Sequence, residues 1–154
     1  MARPDMTMTA EGRAAFLAEE RVVRLATLDA DGWPEVVPLW FVHHPDPRGE
    51  LWIWNLVRAR RTAELTRGVR CGVAVDGGEA YAELRGLTAR AVPTRIEDDD
   101  VPVEVRRAFS GKYFGSDEPL APAHHHTWFA LALSDERSWD FRRIGETTER
   151  LVGR

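Results

Sequence analysis

The chain has 154 residues, of which 44% are hydrophobic and 30% charged, and this balance is typical of one globular domain rather than of a disordered segment. Its formal net charge of −4 disfavours a nucleic-acid partner, because the summed field repels a polyanion. With Cys71 as its sole cysteine, and no apolar stretch near the roughly 18 residues that a membrane span needs, we expect a cytoplasmic protein without disulfides or a membrane partner.

The first part of the chain predicts a short helix and a β-hairpin. Thr9 is a suitable N-cap, and an amphipathic segment follows it. Residues 21–28 and 35–44 are two strand-like runs, separated by a turn that includes the sequence DADG. Pro38 has no N–H to donate to a strand ladder, so we expect it at a bulge or at a point where pairing stops.

Beyond the hairpin, strand-like runs and two short helical segments follow one another. Gly68 is a natural stop for the first helix, and the acidic run at 97–100 favours the start of the second. We expect the strand at 81–93 to bend at Gly86. The other predicted elements are strands at 50–55, 69–76, 127–133 and 138–143, and helices at 59–67 and after residue 100.

The order of these elements limits the fold class. Six or seven short strands, only two or three small helices and no regular alternation of strand and helix indicate an antiparallel barrel rather than a doubly wound sheet. No repeat and no low-complexity linker divides the sequence. We therefore predict a mainly β fold with short α-helices, in a single domain over residues 1–154.

The metal-like cluster in the sequence is the run His124, His125 and His126. The first and third imidazoles share a face of an extended segment, but two ligands do not make a site, and we predict no metal. The alternatives for this run are a polar entrance to a strand or a surface patch that titrates near neutral pH. Cys71 lies in an apolar run, and we interpret it as buried packing rather than as a nucleophile.

The aromatic strand at 50–55 is a candidate binding element. Trp52 and Trp54 share one face of this strand, and Ile53 lies on the other. If the Ile53 face is core, the two indoles line a surface or a pocket on which a flat ligand can stack. The alternative is that the tryptophans pack in the core or at a dimer interface.

Three arginines follow this strand at the opening of the predicted helix. Arg58, Arg60 and Arg61 bring guanidinium groups to a place where free backbone N–H groups already attract anions. A phosphate beside an aromatic slot is the ligand that this arrangement predicts. The alternative is a solvated basic face of the helix.

Four segments, in this order, resemble a known family. They are RVVRLATLDADGWPEVVPLWFV at 21–42, ELWIWNLVRARRTAEL at 50–65, GVRCGVAVD at 68–76 and ELRGLTARAV at 83–92. Together they are similar to the pyridoxamine 5'-phosphate oxidase-like split β-barrel superfamily, whose members bind FMN or the deazaflavin coenzyme F-420. The resemblance covers about residues 14–95, with a weaker likeness in SWDFRR at 138–143.

The resemblance implies a six-stranded antiparallel split β-barrel that forms a homodimer, with a flavin-type cofactor in each of two clefts between the subunits. It also implies an oxidoreductase that transfers a hydride between the cofactor and a small organic substrate. The alternative is a non-catalytic carrier or sensor that binds the same cofactor. No residue stands out as the catalytic acid, and a proton can come from solvent, from Lys112 or Tyr113, or from a histidine.

The resemblance also assigns individual residues. The segment 38–40 resembles the part whose backbone faces the edge of the isoalloxazine ring, and the third strand ends at 54–55 beside the ring. Residues 60–61 fall where the family usually holds the cofactor phosphate, and Trp139 resembles a C-terminal aromatic residue that approaches the cleft. With two further cations, the candidate cofactor-binding residues are Pro38, Leu39, Trp40, Trp54, Asn55, Arg58, Arg60, Arg61, Lys112 and Trp139.

Two departures from the family bear on the choice of cofactor. Trp54 replaces what is commonly a small hydroxyl residue, and Ala89 replaces a common glycine. The Trp54 indole is expected to occupy volume where the short phosphate arm of FMN would lie. If Lys112 and the three arginines gather at the mouth of the cleft, they suit a long acidic tail, which favours the deazaflavin over FMN.

Overall fold

Alternation of buried and exposed residues builds six antiparallel strands, which close into a barrel in the computed structural model, described here for residues 5–144. Residues 1–4 and 145–154 of the predicted domain lie outside the described part. The elements are α1 (Ala10–Glu19), β1 (Val22–Leu28), β2 (Pro34–Asp46), β3 (Gly49–Leu56), α2 (Arg60–Thr66), β4 (Cys71–Gly77), β5 (Arg85–Ile96), α3 (Val103–Phe114) and β6 (His126–Asp140).

The strands follow the order β1-β2-β3-β6-β5-β4, and pairing of β4 with β1 closes the barrel. The mainly β, six-stranded antiparallel fold is therefore confirmed. The helix after Thr9 is also confirmed, since the Thr9 hydroxyl accepts a hydrogen bond from the backbone N–H of Gly12. In place of the predicted start of the fifth strand, residues Tyr81–Glu83 form a single 3-10 turn.

The prediction of two separate strands near the C-terminus is wrong. Residues 126–140 form one strand, although the polar stretch 134–137 interrupts its apolar pattern. Two residues of β6 face one residue of β5 between the pairs Thr88↔Arg137 and Arg90↔Ser134, and Asp135 takes a positive φ of 50° there. The bulge keeps both halves of the strand in register with β5.

Two expectations about backbone irregularities are corrected, the first of them in part. Pro38 is not at a bulge, since it pairs regularly with Arg24 and the irregularity of β2 lies further on, between His43 and Asp46, but pairing with β3 does stop before it reaches Pro38. Proline is tolerated because pairing of β2 with β3 begins only at Phe41, which leaves the second edge of 34–40 without a strand in the described chain. In β5 the register shift lies beside Ala89 rather than at the predicted Gly86.

Gly86 is required for a different reason, namely close packing. It pairs regularly with Asp76 on one side and with Trp139 on the other. A Cβ atom at this position would collide with the indole ring of Trp139. The glycine therefore makes room for the tryptophan.

Two hydrophobic cores lie on the two faces of the barrel wall. The interior is filled by alternate residues of the strands and is closed by Phe16 and Leu17 of α1. The second core lies outside, where α3 covers the outer face of β2, β3 and β6. Its fully buried members include Trp52, Trp128 and Phe109.

The end of α3 completes the hydrogen bonding at the beginning of β1. The Tyr113 hydroxyl accepts from the backbone N–H of Phe41 at 2.8 Å and lies 2.7 Å from the carbonyl oxygen of Arg21. Arg21 and Phe41 would form the next pair after Val22↔Trp40 if the β1–β2 ladder continued. A side chain thus bridges the two strands where direct pairing ends.

Candidate anion-binding site at the end of β3

The junction of β3 and α2 is held by hydrogen bonds to the last residue of the strand. The carbonyl oxygen of Leu56 accepts from the Thr62 hydroxyl at 2.7 Å and from the Ala59 backbone N–H at 3.1 Å. This contact folds the helix back over the end of the strand. Asn55 and Arg61 are thereby brought together.

Asn55 is 1% exposed and lies on the interior side of β3 with Ile53. Its Oδ1 accepts a hydrogen bond from Arg61 Nε at 2.8 Å. Its Nδ2 is buried and has no hydrogen-bond partner among residues 5–144. A buried amide donor without a partner is costly, so this atom is available to a ligand oxygen.

The two arginines predicted to act together differ in their partners. Arg60 forms ion pairs with Glu35 and, at 3.9 Å, with Glu64, while 67% of its side chain is exposed. Arg61 has no carboxylate within ion-pair distance in the part of the chain that the structure describes, and burial lowers the pKa of its guanidinium. Arg61 therefore offers the uncompensated positive charge of this site.

A cavity of about 420 Å³ opens beside these groups and is lined by Glu35, Val36, Val37, Arg60 and Arg61. Residues 35–37 belong to the unpaired edge of β2, so their backbone groups on that side have no strand partner within the described chain. A guanidinium, a buried amide and free backbone donors are the groups that hold a phosphate. The cavity is therefore a candidate site for an anion.

The predicted segment 38–40 continues the same edge of β2. Leu39 packs against the interior core, whereas Pro38 and Trp40 are exposed. One face of the Trp40 ring stacks on Tyr113 with centroids 4.4 Å apart. Arg58 is exposed in the turn before α2. The structure thus brings segment 38–40, Asn55, Arg60 and Arg61 to one side of the barrel, with Arg58 close by in sequence.

Trp54 does not line the cavity. Its ring stacks on His126 with centroids 3.7 Å apart and contacts Phe109 of α3. It lies on the outer face of β3, opposite to Asn55. The expected clash between this indole and a short phosphate arm is absent, which removes the steric argument for the deazaflavin over FMN.

The proposed slot for a flat ligand between Trp52 and Trp54 is also corrected. The Ile53 face is indeed core, but α3 covers the other face, and Trp52 is fully buried there. Its indole N–H donates to the carbonyl oxygen of His44 at 2.9 Å. These two rings stabilise the second core, which was the alternative interpretation.

Lys112 is not brought to the arginines. Its Nζ donates to the carbonyl oxygen of Leu17 at 3.2 Å and lies 4.0 Å from the centroid of the Phe41 ring. Desolvation lowers its pKa to about 8, and the charged groups that act on it are Arg21 and Glu20. The lysine thus anchors α3 to α1 in this chain.

Trp139 also stands apart, since it packs over Gly86 and is not among the residues that line the cavity. Burial raises the pKa of the Cys71 thiol to about 11, as expected for a packing residue. Desolvation lowers the pKa of His126, which stacks on Trp54. Residues 5–144 hold no group of three side chains placed to bind a metal ion.

Sequence reasoning missed the acidic side chains that divide the roles of the arginines. Glu64 lies four residues after Arg60, and this i,i+4 spacing was a usable signal. Glu35 gave no local signal, because the hairpin brings it to Arg60 from a distant part of the chain.

The fold and the site define a closed, six-stranded antiparallel barrel with a candidate anion-binding cavity at one strand end. More particularly, the chain belongs to the pyridoxamine 5'-phosphate oxidase family, whose model matches residues 9–140. None of the curated proteins matches the sequence significantly. In the described part of the chain, no helix combines the length and the apolar character that a membrane crossing requires.

Solved structures share the fold at low sequence identity. The conserved hypothetical protein Rv2991 from Mycobacterium tuberculosis is 23% identical with a TM-score of 0.79, over 94% of this chain and 92% of its own. The heme storage protein HutZ from Vibrio cholerae is 19% identical with a TM-score of 0.65, over 85% and 96%. A FAD-binding protein from Mesorhizobium loti is 20% identical with a TM-score of 0.61, over 86% and 94%.

Proposed function

We propose that this protein is a flavin-dependent oxidoreductase that binds FMN or the deazaflavin F-420 and acts on a small organic substrate. The observation that carries the proposal is Arg61, whose uncompensated guanidinium lines a cavity at the free edge of β2 and donates to the buried Asn55, an amide with an unpartnered Nδ2 in the described chain. Membership of the pyridoxamine 5'-phosphate oxidase family supports it. The FAD-binding relative supports the flavin class.

The residues present fit a phosphate-bearing cofactor. Arg61 and the orphaned Nδ2 of Asn55 would hold the phosphate, and the unpaired backbone of residues 35–40 would lie along the ring. When bound, a flavin or deazaflavin supplies the hydride chemistry. Glu35 and Glu64 form ion pairs with Arg60, which leaves the Arg61 guanidinium as the charge of the cavity without a carboxylate partner in the described chain.

We propose solvent as the source of the proton. The Tyr113 hydroxyl is engaged by backbone groups of Arg21 and Phe41, and desolvation raises its pKa to about 12. The Lys112 amine donates to Leu17. His126 stacks on Trp54 on the outer face of β3. None of these three residues lines the anion cavity.

The proposal includes a homodimer. Large apolar side chains are exposed on the β1–β2 hairpin, where Leu28, Trp33 and Val36 are all more than half exposed. They adjoin the unpaired edge of β2 that borders the cavity. A second copy that covers this hairpin would bury the apolar surface and enclose the cofactor. Trp33→Asp should shift the mass measured by light scattering from dimer to monomer, and a wild-type monomer at micromolar concentration would refute the dimer.

The test of the cofactor is a titration of the purified protein with FMN, FAD and F-420, followed by visible absorption and fluorescence. Saturable binding of a flavin-type cofactor that Arg61→Ala weakens would support the proposal, and absence of binding of all three would refute it. Photoreduced or chemically reduced holoprotein is then mixed with candidate substrates. Substrate-dependent reoxidation distinguishes the enzyme from the alternative, a non-catalytic carrier or sensor.

A further inference from the structure

A second concave region lies on the opposite side of β1 from the cofactor cavity, where β4 pairs with β5. It has a volume of about 620 Å³, larger than the first. None of its residues belongs to the proposed cofactor site. The lining residues are Arg70, Cys71, Arg90, Ala91, Val92 and Ser134.

The base and the rim of this cavity differ in chemistry. Cys71 and Ala91 pair across the two strands, and because both side chains are buried in the barrel interior, it is their backbone that forms the base of the cavity. Val92 is about half exposed and supplies an apolar wall. Arg70 precedes the Cys71–Ala91 pair in the chain, and Arg90 pairs with the next residue, Gly72. The two guanidinium groups thus flank one rung of the sheet.

The positive charge of the cavity is little compensated. Arg70 forms no ion pair or hydrogen bond with any other residue between 5 and 144, and it is exposed. Arg90 has one carboxylate partner, Asp135, which lies 3.3 Å from its Nε, and both side chains of this pair are more than half exposed. An exposed ion pair of this kind contributes little. The Nη atoms of both arginines can therefore take an anion.

The bulge in β6 explains how the rim is formed. Ser134 pairs with Arg90 directly before the bulge of β6, and its hydroxyl has no hydrogen-bond partner within the described residues. Bulges re-aim neighbouring side chains, and the positive φ of Asp135 marks this one as conformationally special. A hydroxyl and two guanidinium groups then lie beside the exposed side chain of Val92.

We propose that this cavity binds a small organic anion, in which a carboxylate or phosphate group adjoins an apolar part. The anionic group lies between Arg70 and Arg90 and accepts from Ser134, and the apolar part packs on Val92. Planar oxyanions match the fork of an arginine side chain, which accounts for the choice of arginine at both positions. The size of the cavity suits a ligand larger than an inorganic ion.

The experiment measures binding of phenyl phosphate, benzoate and inorganic phosphate by calorimetry and by amide chemical shifts, at constant ionic strength. It uses the Arg61→Ala protein as background, so that the cofactor cavity does not contribute. Saturable binding of both aromatic anions is expected, with shifts at residues 70–72, 90–92 and 134. The double variant R70A/R90A should weaken binding about tenfold or more, as loss of charge-assisted hydrogen bonds predicts.

Arg107→Ala is the matched control, because it removes an exposed arginine of α3 that does not line the cavity. It should change affinity less than twofold. Three results would overturn the proposal: no saturable binding of either aromatic anion at millimolar concentration, equal binding by the Arg61→Ala protein with and without R70A/R90A, or equal affinity for phenyl phosphate and inorganic phosphate. The last would reduce the cavity to a patch of positive charge without an apolar subsite.

Discussion

The different surroundings of Arg60 and Arg61 lead to a prediction about cofactor affinity. Arg61 has no carboxylate partner in the described chain, so its free Nη atoms can bond to a phosphate. Loss of such charge-assisted hydrogen bonds costs about 2 kcal/mol, which raises Kd about 30-fold. We therefore expect Arg61→Ala to weaken binding of FMN by about this factor, measured by quenching of flavin fluorescence.

Arg60 should act through charge balance instead. Arg60→Ala leaves Glu35 unpaired at the cavity wall, where its carboxylate repels the phosphate. The variant should bind FMN more weakly, and addition of Glu35→Ala should restore the affinity. The same addition should not restore the affinity of Arg61→Ala, because in that variant the lost interaction is with the ligand itself.

Riboflavin, which lacks the phosphate, is the control ligand. Its affinity should be nearly equal for wild type and Arg61→Ala. The reasoning is refuted if a folded Arg61→Ala protein binds FMN as wild type does, or if it loses riboflavin affinity to the same extent. Denaturant unfolding provides the folding check, with an expected loss of about 1–3 kcal/mol, since Asn55 then has a second buried polar atom without a partner.

Three further predictions concern the stability of the barrel. Tyr113→Phe removes the hydroxyl that bridges β1 and β2, and it should lower the free energy of unfolding by about 1–3 kcal/mol. The control Tyr81→Phe, at an exposed position, should change it by less than about 0.5 kcal/mol, and equal effects of the two variants in urea unfolding would contradict this. Gly86→Ala should lower the free energy of unfolding by about 1–3 kcal/mol, because the added Cβ collides with the Trp139 indole. Trp139→Leu in the same chain should recover part of that loss, and a failure of recovery would mean that the strain lies elsewhere. Burial holds the pKa of Lys112 at about 8, below that of the unfolded chain, so the unfolded state binds more protons above pH 8. The free energy of unfolding should therefore rise with pH from 8 to about 10. Lys112→Met should lack this rise, and parallel pH profiles of the two proteins would exclude the explanation.

Local sequence patterns predicted the strands because the barrel interior takes alternate residues. The run Leu51, Trp52, Ile53 shows both the success and its limit. The interior position of Ile53 follows from alternation alone. The burial of Trp52 does not, because it depends on α3, which is more than 50 residues further along the chain and packs on the outer face. A half-buried strand and a strand between two cores therefore look alike in sequence.

The candidate site was predictable to a similar extent. Arginines at the opening of a helix after an aromatic strand indicated an anion, and Asn55 and Arg61 do meet there. The separation of roles between Arg60 and Arg61 was not predictable, since it depends on Glu35, which a different hairpin strand supplies. The direction of Trp54 was equally hidden, because either face of β3 was a possible core. The separate position of Lys112 follows from the docking of α3 on α1.

The position of β6 has a consequence for synthesis of the chain on the ribosome. β6 lies between β3 and β5, so these two strands each keep an open hydrogen-bonding edge until residues 126–140 have emerged. Until then the nascent chain presents an incomplete sheet. β3 side chains such as Leu51 and Ile53 remain in contact with water, and the open edge of the strand can pair with other chains. Closure is therefore a late and long-range event, and agents that shield open strand edges should increase the yield of folded protein most when they act before the last strand is made.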